Sequence, residues 1–201
     1  MLSEMRPAIV LLVLMTLLTG IAYPLTMTGF GQTLFPRQAN ASLLTRNDGI
    51  VGSEFVGQTF TRPGYFHGRP SAAGYDAASS GATNLGPTNH LLVDTISGRV
   101  REIMAETGAS KVPVDLVTSS GSGLDPDISP ESAYLQIDRV GAARNIPADE
   151  LRAMIDRYTD EPLIGIFGAP AVNVLKLNLA LDERTQAANE AGPANGPSDE
   201  R

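Results

Sequence analysis

The 201-residue chain contains no cysteine and no tryptophan, only two histidines, and few aromatic or charged residues (5% and 18%). Without cysteine there are no disulfides, thiolate zinc sites, iron–sulfur clusters or cysteine nucleophiles. With only His67 and His90, a histidine-based metal site or triad needs both rings, or one ring and a distant carboxylate. Basic clusters are missing as well. The net charge is −7, which argues against nucleic acid as a partner. Charge is scarce because of one region: from Pro7 to Pro36 there is no Asp, Glu, Lys, Arg or His. Glu4 and Arg6 cancel, so all the net charge falls downstream of Pro36.

The uncharged run identifies the first part of the chain. An α-helix needs about 20 apolar residues to cross the ~30 Å hydrocarbon layer, and Ala8 to Thr28 supplies them. A cleaved secretory signal has a shorter apolar core with a small-x-small site close behind it. Ala39-Asn40-Ala41 has that form but lies some ten residues beyond the last apolar cluster, far for a cleavage region behind so long a core. The segment therefore reads as a retained anchor: residues 1–7 a short cytoplasmic amino terminus, 8–30 a transmembrane helix in the lipid bilayer. A short amino terminus normally stays inside, and large domains translocate largely regardless of charge. Residues 37–182 are accordingly expected as a single extracytoplasmic domain of α/β (or α+β) class, and 183–201 as a disordered polar tail. The chain length suits one such core.

Within the domain, Gly52 to Gly74 is rich in turns and gathers Phe55, Phe60, Tyr65 and Phe66, with Val56–Thr61 a candidate short strand. His67 and Arg69, flanked by aromatics, form a candidate recognition surface. Apolar residues at Leu91, Leu92, Ile96, Val100, Ile103 and Met104 predict a helix capped by Asn89 and stopped at Gly108. Val112–Val117 resembles a short strand and runs into the Ser/Gly loop Thr118–Asp127. Such a loop can cradle phosphate with its amides, but the lysine-bearing phosphate-loop pattern and the nucleophile elbow are both missing, and Asp125 and Asp127 repel a triphosphate. No metal-loop spacing surrounds these acids. Ser129-Pro130-Glu131 opens a helix with Ala133, Gln136, Ile137, Val140 and Ala143 on one side; Pro147–Glu150 opens another, giving a helical hairpin. Leu163–Phe167 reads as a buried strand. Val172, Val174, Leu177, Leu179 and Leu181 alternate with polar residues, except that Leu175 breaks the period, so strand and helix both fit. The residues assemble no catalytic acid, base and nucleophile.

Several blocks together carry a resemblance: Gln58-Thr59-Phe60, Tyr65 through Ser71 (YFHGRPS), Ser80 through Pro87 (SGATNLGP), Asp115 through Pro130 (DLVTSSGSGLDPDISP) and Val172 through Leu175 (VNVL). Long and in a fixed order, they are similar to the C subunit of the Kdp-type potassium-transporting ATPase. The resemblance implies a non-catalytic accessory subunit of a bacterial inner-membrane complex. Its implied partners are a channel-like potassium-binding subunit, an ATP-hydrolysing P-type subunit and a small single-helix subunit. It also implies a catalytic chaperone that raises the ATP affinity of the ATPase subunit, with Ser119, Ser120, Gly121, Ser122, Gly123 and Asp125 as a nucleotide-sensing signature. An extracytoplasmic loop cannot touch cytoplasmic ATP, so direct sensing conflicts with the topology. The same loop then becomes a partner-contact candidate, together with Tyr65, Phe66, His67, Arg69 and Asn84. ATP and potassium belong to the complex, and no bound cofactor or metal is expected of this chain. The competing reading is an independent exported enzyme with a cleaved signal peptide.

Overall fold

A computed structural model describes residues 2–46, 49–162 and 168–190. The chain divides into two compact units between Ser53 and Glu54. In the first, helix α1 (Leu2–Leu17) passes through a π-helical turn (Leu18–Ala22) into α2 (Tyr23–Leu34). The turn has a cause in the sequence: Pro24 has no N–H for the Gly20 carbonyl, and its ring crowds that carbonyl. Widening the helix relieves the crowding, and the Tyr23 N–H bonds to Leu18 O, one residue early. From Glu4 to Leu34 the helix is long and apolar enough to cross a membrane. A short helix α3 (Pro36–Ala39) and an antiparallel hairpin, β1 (Leu43–Arg46) and β2 (Gly49–Ser53), complete this unit.

The second unit is mixed α and β. Helix α4 (His90–Thr107) starts where the Asn89 side chain accepts from Leu91 N at 2.9 Å and ends at Gly108, whose φ of +68° is left-handed. Both caps agree with the sequence signals at Asn89 and Gly108. A 3-10 turn at Val114–Leu116 stands where a strand was expected, because Pro113 fixes a turn and the Thr118 N–H and hydroxyl both bond back to Val114 O. Three very short strands follow the order β3 (Asp127–Ile128), β5 (Ala171–Asn173), β4 (Thr159–Asp160), all antiparallel. Ile128 and Thr159 flank Val172 in register. Helices α5 (Pro130–Leu135), α6 (Ile137–Arg144) and α7 (Ala148–Arg157) form the expected hairpin, with Ser129 capping Ser132 N at 3.1 Å. The expected strand at Leu163–Phe167 lies outside the described residues.

After β5 the chain turns directly into α8 (Val174–Glu190). Asn173 makes the switch. Its Oδ1 accepts from Lys176 N at 3.1 Å as an N-cap, while its Nδ2 donates to Glu54 O and Asp127 Oδ1 at 2.8 and 2.9 Å. The ambiguous stretch is thus both strand and helix, and the helix carries eight residues into the segment expected to be a disordered tail. Val174, Leu177 and Leu181, at helical spacing, join Ile128, Ile137, Val140, Leu151, Ile155, Val172 and Phe66 in one core. At roughly 1.5–3 kcal/mol per buried large apolar side chain, this cluster is the main stabilising element.

Candidate functional site

The segment Phe60–Pro70 runs against the helical hairpin without a β partner and bends at a turn where Tyr65 N donates to Arg62 O at 3.1 Å. Buried backbone amides need partners all the same, and carboxamide side chains supply them. Phe66 N donates to Asn178 Oδ1 at 2.8 Å and Asn178 Nδ2 donates to Phe66 O at 2.9 Å. One residue on, Gln136 does the same for His67, at 2.7 and 3.1 Å. Arg139 then donates to the carbonyls of Pro63 and Tyr65 at 2.7 and 2.9 Å, and forms an ion pair with Glu106 at 3.0 Å. Val56–Thr61 is not a strand, and the side-chain clamps begin beyond it, at Pro63. Gly57 N donates to Leu124 O at 2.7 Å. A Cβ at Gly57 would lie 2.5 Å from Asp125 O, so the close approach demands glycine.

The partner-contact candidates therefore divide. Phe66 is fully buried in the core and offers no recognition surface. Tyr65 is half-buried: its hydroxyl donates to Asp182 at 3.1 Å, and the Arg144 guanidinium lies 4.4 Å from its ring centre while pairing with Asp182 at 2.8 Å. His67 Nε2 sits 3.1 Å from Arg62 O, and burial, then the Arg139 charge, lowers its pKa below the ordinary imidazole value. Arg69 pairs with Asp125 at 2.8 Å. Asn84 is exposed in a left-handed conformation with φ of +53°.

The Ser/Gly loop spends most of its polar groups on itself. Ser120 is buried and its hydroxyl accepts from Gly123 N at 2.9 Å; the Ser122 hydroxyl accepts from Leu124 N at 3.0 Å. Those are amides an anion would need. From outside, Gly81 N and the Ser80 hydroxyl bind Ser122 O at 2.8 and 2.9 Å, and the Ser71 hydroxyl binds Gly123 O at 2.6 Å. Ser71 also accepts from Tyr75 N at 2.9 Å, and the Tyr75 hydroxyl donates to Arg69 O. Burial, then the Asp125 charge, raises the Tyr75 pKa. Burial, and the neighbouring Asp125 and Asp160, raise the Asp127 pKa against the opposing bond from Asn173. Asp115 goes the other way: burial would raise it, but hydrogen bonding by Ser132 and Ser129 outweighs that and lowers it.

Two sides of the loop remain open. Gly121 and Ser122 are exposed, and Ser119 lines a groove of about 610 Å³ with Ala82, Thr83, Leu85, Leu92 and Ile96. The hydroxyl of Ser119 is buried without a hydrogen-bond partner. Along this groove the apolar stripe of α4 is only half-covered, and Leu91 is largely exposed. Among the described residues no cluster of three metal-ligating side chains occurs.

Residues 5–183 match the family described as the K+-transporting ATPase c chain, KdpC. The chain belongs to the KdpC family. It is 50% identical to the "potassium-transporting ATPase KdpC subunit" of Rhodopseudomonas palustris CGA009, over 90% of this chain and 98% of that one. Similar proteins of the same description in Caulobacter vibrioides NA1000 and Gemmatimonas aurantiaca T-27 are each 51% identical, over 92% and 90% of this chain and 95% and 94% of theirs. In KdpC terms the family blocks are the pieces the fold brings together: YFHGRPS, SGAT and the Ser/Gly loop meet at Ser71, Ser80, Gly81, Ser122 and Gly123. Sequence reading found those blocks, with Ser71 and Gln136 named but given no fastening role, and missed Arg139 and Asn178. One signal was present: Gln136 stands in an otherwise apolar helix stripe, as a buried polar clamp would.

Proposed function

We propose that this KdpC-family chain is a non-catalytic, single-pass subunit of an ATP-driven potassium uptake complex in the bacterial inner membrane. Its amino terminus is cytoplasmic and its second unit extracytoplasmic. The observation that carries the reading is near-full-length identity of about half to potassium-transporting ATPase KdpC subunits, together with a family match over residues 5–183 that takes in the apolar helix. The partners are a channel-like potassium-binding subunit, an ATP-hydrolysing P-type subunit and a small single-helix subunit. Assembly, and with it coupling or a raised ATP affinity of the ATPase subunit, is the role of this chain. The Ser/Gly loop acts as a contact with partner protein and not as a nucleotide seat. What supports this is chemical: two of its amides are already bound by Ser120 and Ser122, and the nearby Arg69 guanidinium is already engaged by Asp125 and not free for a phosphate. The groove beside Ser119, apolar along α4, suits a protein surface better than a phosphate.

Detergent extraction and affinity purification test the reading: the chain co-purifies with the other subunits, and an unrelated span in place of residues 8–28 weakens retention. Recovery as a soluble protein beginning near Ser42 would instead favour an exported enzyme. The loop's side is read separately, with Gly121→Cys in this cysteine-free chain. Labelling by a membrane-impermeant reagent in cells with a permeable outer envelope excludes direct contact with cytoplasmic ATP; labelling only after lysis reverses the topology.

A further inference from the structure

The π-turn leaves the Thr19 and Gly20 carbonyls without their α-helical donors. Pro24 has no N–H to give Gly20 O, and the Tyr23 N–H that would serve Thr19 O goes to Leu18 O. Nearby hydroxyls do not repair this. Thr19 Oγ1 donates backward to Met15 O and Thr26 Oγ1 to Ala22 O, each at 2.7 Å. Gly20 leaves the spot open, since a Cβ there would meet nothing within 4 Å, so nothing in this helix's own packing calls for glycine. Glycine inside a helix costs about 1 kcal/mol relative to alanine. The position matters too: Gly20 lies about 21 Å along the helix from both Arg6 and Leu34, at 1.5 Å per residue. With a hydrocarbon layer of ~30 Å, that is the zone where water is missing and unpaired backbone groups cost most.

Resting on the anchored-subunit reading above, we infer that the Thr19 and Gly20 carbonyls are a docking point for a hydrogen-bond-donating side chain on a neighbouring transmembrane helix. Electrostatic complementarity selects the occupant. Two adjacent carbonyl oxygens present partial negative charge, which lipid chains cannot match and which a hydroxyl or carboxamide N–H can. The glycine lets that helix approach closely enough to deliver the donor.

Two substitutions act on this point from opposite directions. Pro24→Ala restores the missing N–H, so the helix satisfies its own carbonyl; Gly20→Ile keeps the carbonyls and blocks approach. The readout is exchange of tagged full-length chain out of the purified detergent-solubilised complex under excess untagged chain, with Leu11→Ile as control. Both variants are expected to leave roughly three- to fifteen-fold faster than wild type, the range for one interhelical hydrogen bond in a membrane, while the control leaves at the wild-type rate. Wild-type or slower exchange for either variant overturns the inference and assigns the carbonyls to water or to the helix itself. Failure of the wild-type chain to co-purify at all would instead sink the anchored-subunit reading, and this inference with it.

Discussion

Gly123→Ala isolates the claim that the Ser/Gly loop is a packed junction and not an open cradle. Gly123 has φ of +68°, where an L-residue costs about 1–2 kcal/mol. The new Cβ would also sit 2.6 Å from Gly81 O and 2.9 Å from the Ala73 side chain. Neither neighbour can yield freely. Gly81 N is bound to Ser122 O at 2.8 Å, and Ala73 N to the Ser71 hydroxyl at 3.2 Å, so relief breaks at least one bond worth about 1 kcal/mol net. The total is about 2–4 kcal/mol of domain stability. Urea unfolding of the full chain in mild detergent, followed by circular dichroism, reads this as a midpoint lowered by about 1–2 M at a typical slope near 2 kcal/mol/M. Two residues away, Gly121 has open space around its would-be Cβ and no left-handed φ. Gly121→Ala should therefore stay within about 0.5 kcal/mol of wild type. Equal effects at the two glycines, or a shift below about 0.5 kcal/mol for Gly123→Ala, would refute the packed-junction account.

Asn178→Leu keeps side-chain volume but leaves the buried Phe66 N–H and C=O without partners; a loss of about 2–5 kcal/mol is expected by the same unfolding assay. His67 titrates below its ordinary 6.5 in the folded chain, so its contribution is fully present above pH 6.5 and is lost as pH falls through the folded value. His67→Gln should flatten the stability profile below pH 6.5, and an unchanged slope would count against the burial argument. The lowered pKa of Asp115 gives stability that is present above 3.8 and lost as pH falls through the folded value. Asp115→Asn removes that acid limb, and also weakens the start of α5, where Asp115 accepts from Ser129 N at 2.7 Å.

How much of this was legible depended on the length of each signal. Helix α4 and its caps, and the α5–α7 hairpin with Ser129 and Pro130 at its start, follow from periodicity sustained over several turns. Strands of two or three residues carry no period. Val112–Val117 and Val56–Thr61 look like strands by composition, yet the first is turned by Pro113 and the second touches the Ser/Gly loop at Gly57 without forming a ladder. Leu175, the residue that broke the alternation at 172–181, marked the place where β5 becomes α8. For the site, composition located the right blocks but could not orient them. Phe66 points inward because Asn178, 112 positions away, fixes its backbone, and a contact so distant leaves no local trace. In the same way, serines that suggested a phosphate cradle are consumed by amides two and three residues on, the short-range bonding to which serine is prone.

The central claim is that this chain serves a potassium-transporting ATPase from beside it. Potassium-stimulated ATP hydrolysis, measured on the complex purified with the wild-type chain and on the same subunits prepared without it, tests that claim most directly. The account predicts that stimulation at limiting ATP collapses without the chain and returns when the full-length protein is added back. Equal stimulation in both preparations, across the whole range of ATP concentration, would contradict it.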